Sequence, residues 1–186
     1  MKKLAALMIA LVILTGCTGK RAEMDRIMTL RAKLLGSEGC TFTAQITADY
    51  GDALHEFTLF CEGNNDGDLG FRGVAPDTIA GITGRFLGNE GFLTFDDVAL
   101  SFPLLADEQI TPVSGPWILL KTMLGGYLTA CTMEEDLLHL TINDSYEEDA
   151  LQMEIWLNPE DAPIQAEIIY EGRRIVTMQI ENFQIL

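Results

Sequence analysis

The feature that most constrains the fold is a repeated alternation of apolar and polar residues with a period of two. Across residues 42–50, apolar side chains at even positions alternate with threonine and glutamine at most odd positions, and residues 151–157 also alternate. Successive side chains of a β-strand point to opposite faces, so such segments bury one face of a sheet. Because the other face stays polar, the pattern is typical of an antiparallel sheet.

Short turn sequences separate the predicted strands. Gly51-Asp52 joins the first strand to a second that alternates through Phe57, Leu59 and Cys61, which predicts an antiparallel hairpin. Residues 64–68 could supply calcium ligands, but the twelve-residue loop with its terminal glutamate is absent, so we interpret them as a turn. Further strands are expected at residues 78–86, 91–95, 98–102, 137–142, 151–157, 164–170 and 174–185.

Two segments have helical spacing instead. Residues 23–35 place their apolar side chains on one stripe, and residues 117–124 are apolar nearly all round between a Ser-Gly-Pro start and Gly125-Gly126. No fixed-period repeat or linker interrupts the chain. The sequence therefore predicts one domain of α+β class, mainly β with a few helices. Its strongly curved antiparallel sheet is expected to form an open or half barrel, with the helices covering the concave face.

The N-terminus has the pattern of a targeting segment. Lys2 and Lys3 precede an apolar run over residues 4–14, which is too short to span a bilayer comfortably. The following Leu-Thr-Gly-Cys17 resembles the bacterial lipoprotein signal, in which cleavage leaves a lipidated cysteine at the N-terminus. The alternative is an ordinary secretory signal with an incidental cysteine. We therefore expect a signal peptide at 1–16, a lipidated tether at 17–22 and one domain at 23–186.

The charge balance limits the partners. The chain has 28 acidic and 12 basic residues, a formal net charge of −16, which repels phosphate backbones and argues against nucleic-acid binding. Removal of residues 1–16 takes away two lysines and no acid, so the mature charge becomes −18. Anionic lipid head groups attract clusters of lysine and arginine. Attachment to the extracytoplasmic face of the cell membrane is therefore expected through acyl chains on Cys17.

The order of helix, strands, apolar helix and strands resembles the LolA/LolB-like superfamily of lipoprotein carriers. The resemblance depends on the helix before the first hairpin, on residues 114–120, and on residues 156–163 with the Glu171-Gly172-Arg173 turn. It spans roughly residues 23–186. It implies a curved antiparallel sheet with an apolar concave face and short helices acting as a lid. Members bind acyl chains of lipids or lipoproteins, and others are sensors or interaction modules.

The resemblance implies a non-catalytic lipoprotein that binds a hydrophobic, acyl-type ligand in the sheet concavity. Trp117, Leu120 and Leu124 would then line the roof of the cavity, although the same residues could simply pack in the core. The alternative function is a structural or regulatory module that binds a protein partner in the cell envelope. A filled space between sheet and helices would indicate the module, and an open apolar space of about 300–1,000 Å³ would indicate a ligand site.

Catalysis is not expected from the residue types present. His55 and His139 are the two histidines, and no nucleophile elbow, zinc-protease helix, phosphate loop or CxxC motif occurs. A third hypothesis, a hydrolase, would need a polar cleft that places one of these histidines beside a carboxylate. We predict no catalytic residue, no metal and no cofactor.

Three cysteines remain after Cys17. Cys40 and Cys61 fall on the apolar face of the first hairpin by parity, and its turn places them nearly opposite each other. Two interpretations stay open, a cross-strand disulfide between Cys40 and Cys61 and a pair of buried thiols. Cys131 is left without a predicted partner.

Overall fold

The computed structural model describes residues 18–88, 90–95, 98–103, 105–106, 109–147 and 150–186. Within these ranges the chain forms two α-helices, α1 (Thr18–Leu35) and α2 (Gly115–Gly125), and two short 3₁₀ turns at Asp77–Ile79 and Pro112–Ser114. The strands are β1 (Gly39–Asp49), β2 (Leu54–Asn64), β3 (Leu69–Ala75), β4 (Thr83–Leu87), β5 (Glu90–Phe95), β6 (Val98–Pro103), β7 (Leu105–Ala106), β8 (Gln109–Ile110), β9 (Tyr127–Glu134), β10 (Leu137–Asn143), β11 (Gln152–Leu157), β12 (Pro163–Tyr170) and β13 (Arg173–Ile185).

Eleven of the strands form one antiparallel sheet. Its order is β6-β5-β4-β3-β2-β1-β13-β12-β11-β10-β9, while β7 and β8 pair separately. The only neighbours distant in sequence are β1 and β13, which join the two halves of the sheet. The predicted fold class is confirmed, since the sheet is open and curved and carries few helices.

One face of the sheet, called the inner face below, holds the core. In β1 it carries Cys40, Phe42, Ala44, Ile46 and Ala48, all nearly inaccessible to solvent, and the intervening residues are at least partly exposed. The alternation that predicted the strand therefore also separates core from solvent. Each large apolar side chain buried this way contributes roughly 1.5–3 kcal/mol.

Both helices pack against the inner face and against each other. α1 buries Ile27, Leu30 and Leu34, and Arg31 on the same helix donates hydrogen bonds to the carbonyl oxygens of Thr122 (3.2 Å) and Gly126 (2.6 Å). Because the last carbonyls of a helix lack partners within it, this guanidinium stabilises the end of α2. Burial lowers the pKa of Arg31, but not enough to remove its charge.

Three differences from the sequence prediction concern α1, β4 and β9. α1 begins at Thr18, so residues 18–22, expected to be a tether, are helical. The strand expected at 78–86 is a 3₁₀ turn followed by β4, because Gly81 adopts a φ of 90° and the Ile82 N–H bonds to the Ile79 carbonyl. β9 was not predicted, since as an edge strand it is mostly exposed and lacks apolar alternation.

The first hairpin has a two-residue turn at Gly51-Asp52. The Tyr50 N–H bonds to the Ala53 carbonyl, which centres the register between the two turn residues. Cys40 is therefore opposite Gly63, and Cys61 is opposite Phe42. The two cysteines lie on neighbouring strands with side chains on the same face, as predicted, but they are two positions out of register and their sulfurs are not bonded.

We expect Cys40 and Cys61 to resist alkylation in the folded protein. Burial raises the pKa of Cys40 to about 11 and raises that of Cys61 further, so almost no reactive thiolate exists at pH 8. Cys131 is only half-buried and should react first. Of these three cysteines, iodoacetamide labelling with mass spectrometry should find only Cys131 labelled before unfolding, and all three labelled in urea without reductant. Labelling of Cys131 alone in urea would instead indicate a Cys40–Cys61 disulfide.

The predicted signal peptide, residues 1–16, and Cys17 lie outside the described residues. Within the described part of the chain, neither helix combines the length and apolar character needed to cross a bilayer.

Candidate functional site

α2 packs on the inner face through buried side chains. Leu119, Leu120 and Met123 all belong to the hydrophobic core. The side chain of Leu120 lies so close to Gly63 of β2 that a Cβ atom there would come within 2.4 Å of its Cδ2 atom.

Beyond α2 the inner face is open. A cavity of about 450 Å³, called the inner-face cavity, lies over β2, β3 and β5 and is bounded on its other side by the loop that contains the first 3₁₀ turn. It lies within the size range of small-molecule sites. Its apolar lining includes Phe57, Leu59, Phe71, Ile79, Ile82 and Leu93.

A glycine in β3 holds the loop close to the sheet. The Gly73 N–H donates to the Ile82 carbonyl at 2.9 Å, and a Cβ at Gly73 would lie 2.2 Å from the Ile79 carbonyl oxygen. This close approach brings the Ile79 and Ile82 side chains over the inner face, where they form a wall of the cavity. His55 and Glu56 line it at an exposed part of β2, where polar groups remain in water.

A second, larger cavity of about 670 Å³ runs along α2. This α2 groove is lined by Trp117, Ile118, Lys121 and Leu124, spaced along one side of the helix, and by Leu35 at the end of α1. Of the three residues predicted to form a cavity roof, Trp117 and Leu124 line the α2 groove, whereas Leu120 is not among its lining residues and packs against Gly63 of β2.

Aromatic contacts fix the position of Trp117 in the groove. Its ring stacks on Phe86 of β4 with centroids 5.7 Å apart, and the Lys121 ammonium lies 5.8 Å from its ring centroid. Such a cation–π contact contributes roughly 0.5–1 kcal/mol at an exposed site. The groove thus has an apolar floor with one cation beside it, while Asp66 and Asp144 lie at its margins.

The opposite, outer face of the sheet carries a polar cluster around His139. The ring stacks on Trp156 at 4.4 Å with planes 5° apart. Its Nδ1 lies 2.8 Å from Oε1 of Glu134, and its Nε2 lies 2.5 Å from Oε2 of Glu154 without hydrogen-bond alignment. Glu154 also accepts from Thr141 (2.9 Å). The Trp156 indole N–H donates to Glu134 at 2.9 Å, and this bond is the main reason the pKa of Glu134 is lowered.

The His139 cluster connects side chains of three neighbouring strands. His139 does lie beside carboxylates, the observation that would favour a hydrolase, but it lies outside both cavities described above. Its two nitrogens point to different glutamates, and no group of three side chains arranged to hold a metal ion occurs among the described residues. The cluster links β9, β10 and β11 on the outer face. Sequence analysis missed it because its members become neighbours only through strand register.

Solved structures similar to this chain include lipoproteins and a LolA superfamily protein. An uncharacterized conserved protein from Thermus thermophilus has a TM-score of 0.47 and 10% identity, covering 89% of this chain and 86% of its own. A LolA superfamily protein from Nitrosomonas europaea has a TM-score of 0.44 and 7% identity, with coverages of 88% and 93%. The Mycobacterium tuberculosis lipoprotein LppX has a TM-score of 0.42 and 12% identity, with coverages of 89% and 96%.

One of these similar structures is described as a LolA superfamily protein, the superfamily that the sequence resembles. No protein-family model matches the chain, and no curated protein matches it.

Proposed function

We propose that this protein is a lipid-anchored, extracytoplasmic lipoprotein that binds a hydrophobic, acyl-type ligand without chemistry. The observation that supports the proposal is the inner-face cavity, an open apolar space on the core side of the sheet that neither helix fills. A folded domain normally covers such a surface with its own side chains, because exposed apolar area is unfavourable in water.

The lining indicates the class of ligand. Phe57, Leu59, Phe71 and Leu93 rise from the sheet and Ile82 faces them from the loop, so a molecule inside contacts hydrocarbon on both sides. Transfer of each methylene group from water to such a site contributes about 0.8 kcal/mol. The polar side chains His55 and Glu56 are exposed, and a ligand's polar end could remain hydrated beside them.

The test is a titration with dansyl-undecanoic acid, a fluorescent fatty-acid probe. Wild type should bind it, and Ile82→Asp should weaken binding at least tenfold, because the new carboxylate would be desolvated by an apolar chain. Val74→Asp introduces the same charge at an exposed position of β3 outside the cavity lining, so it should bind like wild type. Thermal melts of all three proteins check that each is folded.

Two results would reject the ligand-binding proposal. One is a folded wild type that does not bind the probe, and the other is equal binding by Ile82→Asp and wild type. Either would favour the alternative, a structural or regulatory module that binds a protein partner in the cell envelope. A loss of binding in Val74→Asp as large as in Ile82→Asp would place the probe elsewhere on the surface.

The anchor is tested separately by Cys17→Ala. We expect wild type in the membrane fraction and the variant either in the soluble extracytoplasmic fraction or as an uncleaved precursor, because acylation requires the cysteine sulfur. Cell fractionation with mass spectrometry of the mature N-terminus measures both. Cys40→Ala is the control, since it removes a buried thiol that no anchor can use. A processed Cys17→Ala protein that stays in the membrane fraction would contradict the anchor.

A further inference from the structure

α1 has a second apolar stripe, distinct from the one it buries. Ile27, Leu30 and Leu34 pack into the core, whereas Met24, Met28 and Leu35 are 41%, 55% and 52% exposed. Their spacings of four and seven residues place them along one side of the helix, with the exposed Arg21 three residues before Met24. This stripe, called the outward stripe, is an apolar helix face without a covering element among the described residues.

The helix is also basic in a strongly acidic protein. α1 contains five lysine and arginine residues against two acidic ones, while the chain as a whole has a net charge of −16. Arg26 forms an ion pair with Asp161 at 2.7 Å, and Arg31 donates hydrogen bonds to carbonyl oxygens at the end of α2. Arg21 and Lys33 are exposed and form no ion pair within the described ranges, so they are available to an anionic partner.

The position of α1 in the chain indicates what covers the stripe. The helix begins at Thr18, the residue directly after Cys17. If Cys17 carries the acyl chains, no linker separates the anchor from the helix, and a turn of α-helix rises only 5.4 Å. Met24 lies six residues from Thr18, roughly 9 Å along the helix axis at 1.5 Å per residue. The bilayer surface is therefore within reach of the outward stripe without any change in the fold.

We propose that α1 is a second membrane contact, which lies along the bilayer surface with the outward stripe in the interface and Arg21 at the head groups. The proposal rests on the anchor proposed above. Amphipathic helices bind in this way by burying their apolar face at the head-group and acyl boundary, and basic residues near an anionic surface strengthen the binding. The flexible thioethers of methionine adapt to such an irregular environment.

Docking of α1 also orients the domain. Leu35, the last residue of the outward stripe, lines the α2 groove. With α1 on the bilayer, this edge of the groove lies at the membrane surface rather than facing bulk solvent. The acyl anchor alone would leave the domain free to rotate about its attachment point, and the helix contact removes that freedom.

The experiment places a tryptophan on α1 of the full-length lipoprotein reconstituted in vesicles of 70% phosphatidylcholine and 30% phosphatidylglycerol. Met28→Trp probes the outward stripe, and Thr29→Trp is the matched control, because Thr29 is also exposed and follows at the next position on another side of the helix. Lipids brominated near the head group quench tryptophans at that depth. After subtraction of the wild-type signal, quenching of Met28→Trp should exceed that of Thr29→Trp at least threefold.

Equal quenching of the two variants, or no quenching above wild type, would overturn the proposal. A shielded, blue-shifted emission of Met28→Trp without quenching by bromolipid would overturn it in favour of a protein partner or a second copy. Flotation with the vesicles distinguishes a failure of the acyl anchor from a failure of the helix docking. If wild type does not float with the vesicles, the anchor is wrong and the docked helix with it, whereas flotation with equal quenching leaves the anchor intact and rejects only the docking.

Discussion

Replacement of Leu120 with alanine is expected to lower the free energy of unfolding by about 2–5 kcal/mol. Leu120 is 2% exposed, and its side chain fills the space above Gly63 at the point where α2 lies on β2. Because glycine offers no side chain that could move into the gap, the substitution leaves a cavity that the surroundings cannot close. Urea denaturation followed by circular dichroism measures the loss, which corresponds to roughly 4–20 °C in the melting temperature.

Leu124→Ala is the matched control for this substitution. It removes the same atoms from the same helix, but Leu124 is only partly buried and lines the α2 groove. We expect its cost to be less than half that of Leu120→Ala, since less apolar area leaves contact with protein. Equal losses for the two variants would mean that Leu120 does not occupy a tighter environment than Leu124, contrary to the packing described.

The different environments of Leu120 and Leu124 could not be predicted from the sequence of α2. The segment is apolar nearly all round, so its pattern predicts a buried helix but does not indicate which side faces the sheet. That orientation depends on small residues far away in the chain, such as Gly63 below Leu120, and on the helix's own Gly115 against Met178. The sequence therefore predicted the helix correctly but placed Leu120 in a cavity roof.

The strands could be predicted from the sequence wherever one face of the strand is buried and the other is exposed to solvent. β1, β10 and the strands that follow it have this environment, so their apolar residues recur at every second position. β9 lies at the edge of the sheet and is largely exposed, which removes the pattern. The hairpin turn was predicted too, but the register of Cys40 and Cys61 depended on one hydrogen bond, from Tyr50 to Ala53.

The candidate site could not be predicted from the sequence for a different reason. The inner-face cavity is bounded by β2, β3, β5, the loop with the first 3₁₀ turn and Val113 of the second, which are separated by up to about sixty residues along the chain. The apolar lining residues of the strands, such as Leu59 and Phe71, look like ordinary core residues in their own strands. The site is the unfilled space between these residues, and an unfilled space does not produce a sequence motif.

The second large effect is expected from Gly39→Ala at the start of β1. Gly39 has a φ of 150°, and a Cβ there would lie 1.9 Å from the carbonyl oxygen of Gly63 on the neighbouring strand. The backbone conformation alone costs a residue with a side chain about 1–3 kcal/mol. The clash with main-chain atoms adds to this, since no rotamer can relieve it. We expect a total loss of about 3 kcal/mol or more, measured as a lower urea midpoint.

The location of Gly39 makes it difficult for the structure to avoid this cost. β1 lies between β2 and β13 at the centre of the sheet, and the Gly39 carbonyl accepts a hydrogen bond from the Leu186 N–H at 2.9 Å. β1 therefore cannot move away from β2 without disturbing its pairing with β13. A separation of the strands here would also expose Cys40, which faces Gly63 in the register. Faster alkylation of Cys40 in Gly39→Ala is the expected second signature.

Gly81→Ala separates the backbone contribution from the clash. Gly81 also has a positive φ, 90°, but a Cβ there would have no heavy atom within 4 Å. Its substitution should cost about 1–2 kcal/mol, the cost of a left-handed conformation by itself. If Gly39→Ala cost no more than Gly81→Ala, the contact between Gly39 and Gly63 would be looser than described. Unchanged alkylation of Cys40 in a strongly destabilised Gly39→Ala would place the disturbance elsewhere than the β1–β2 pair.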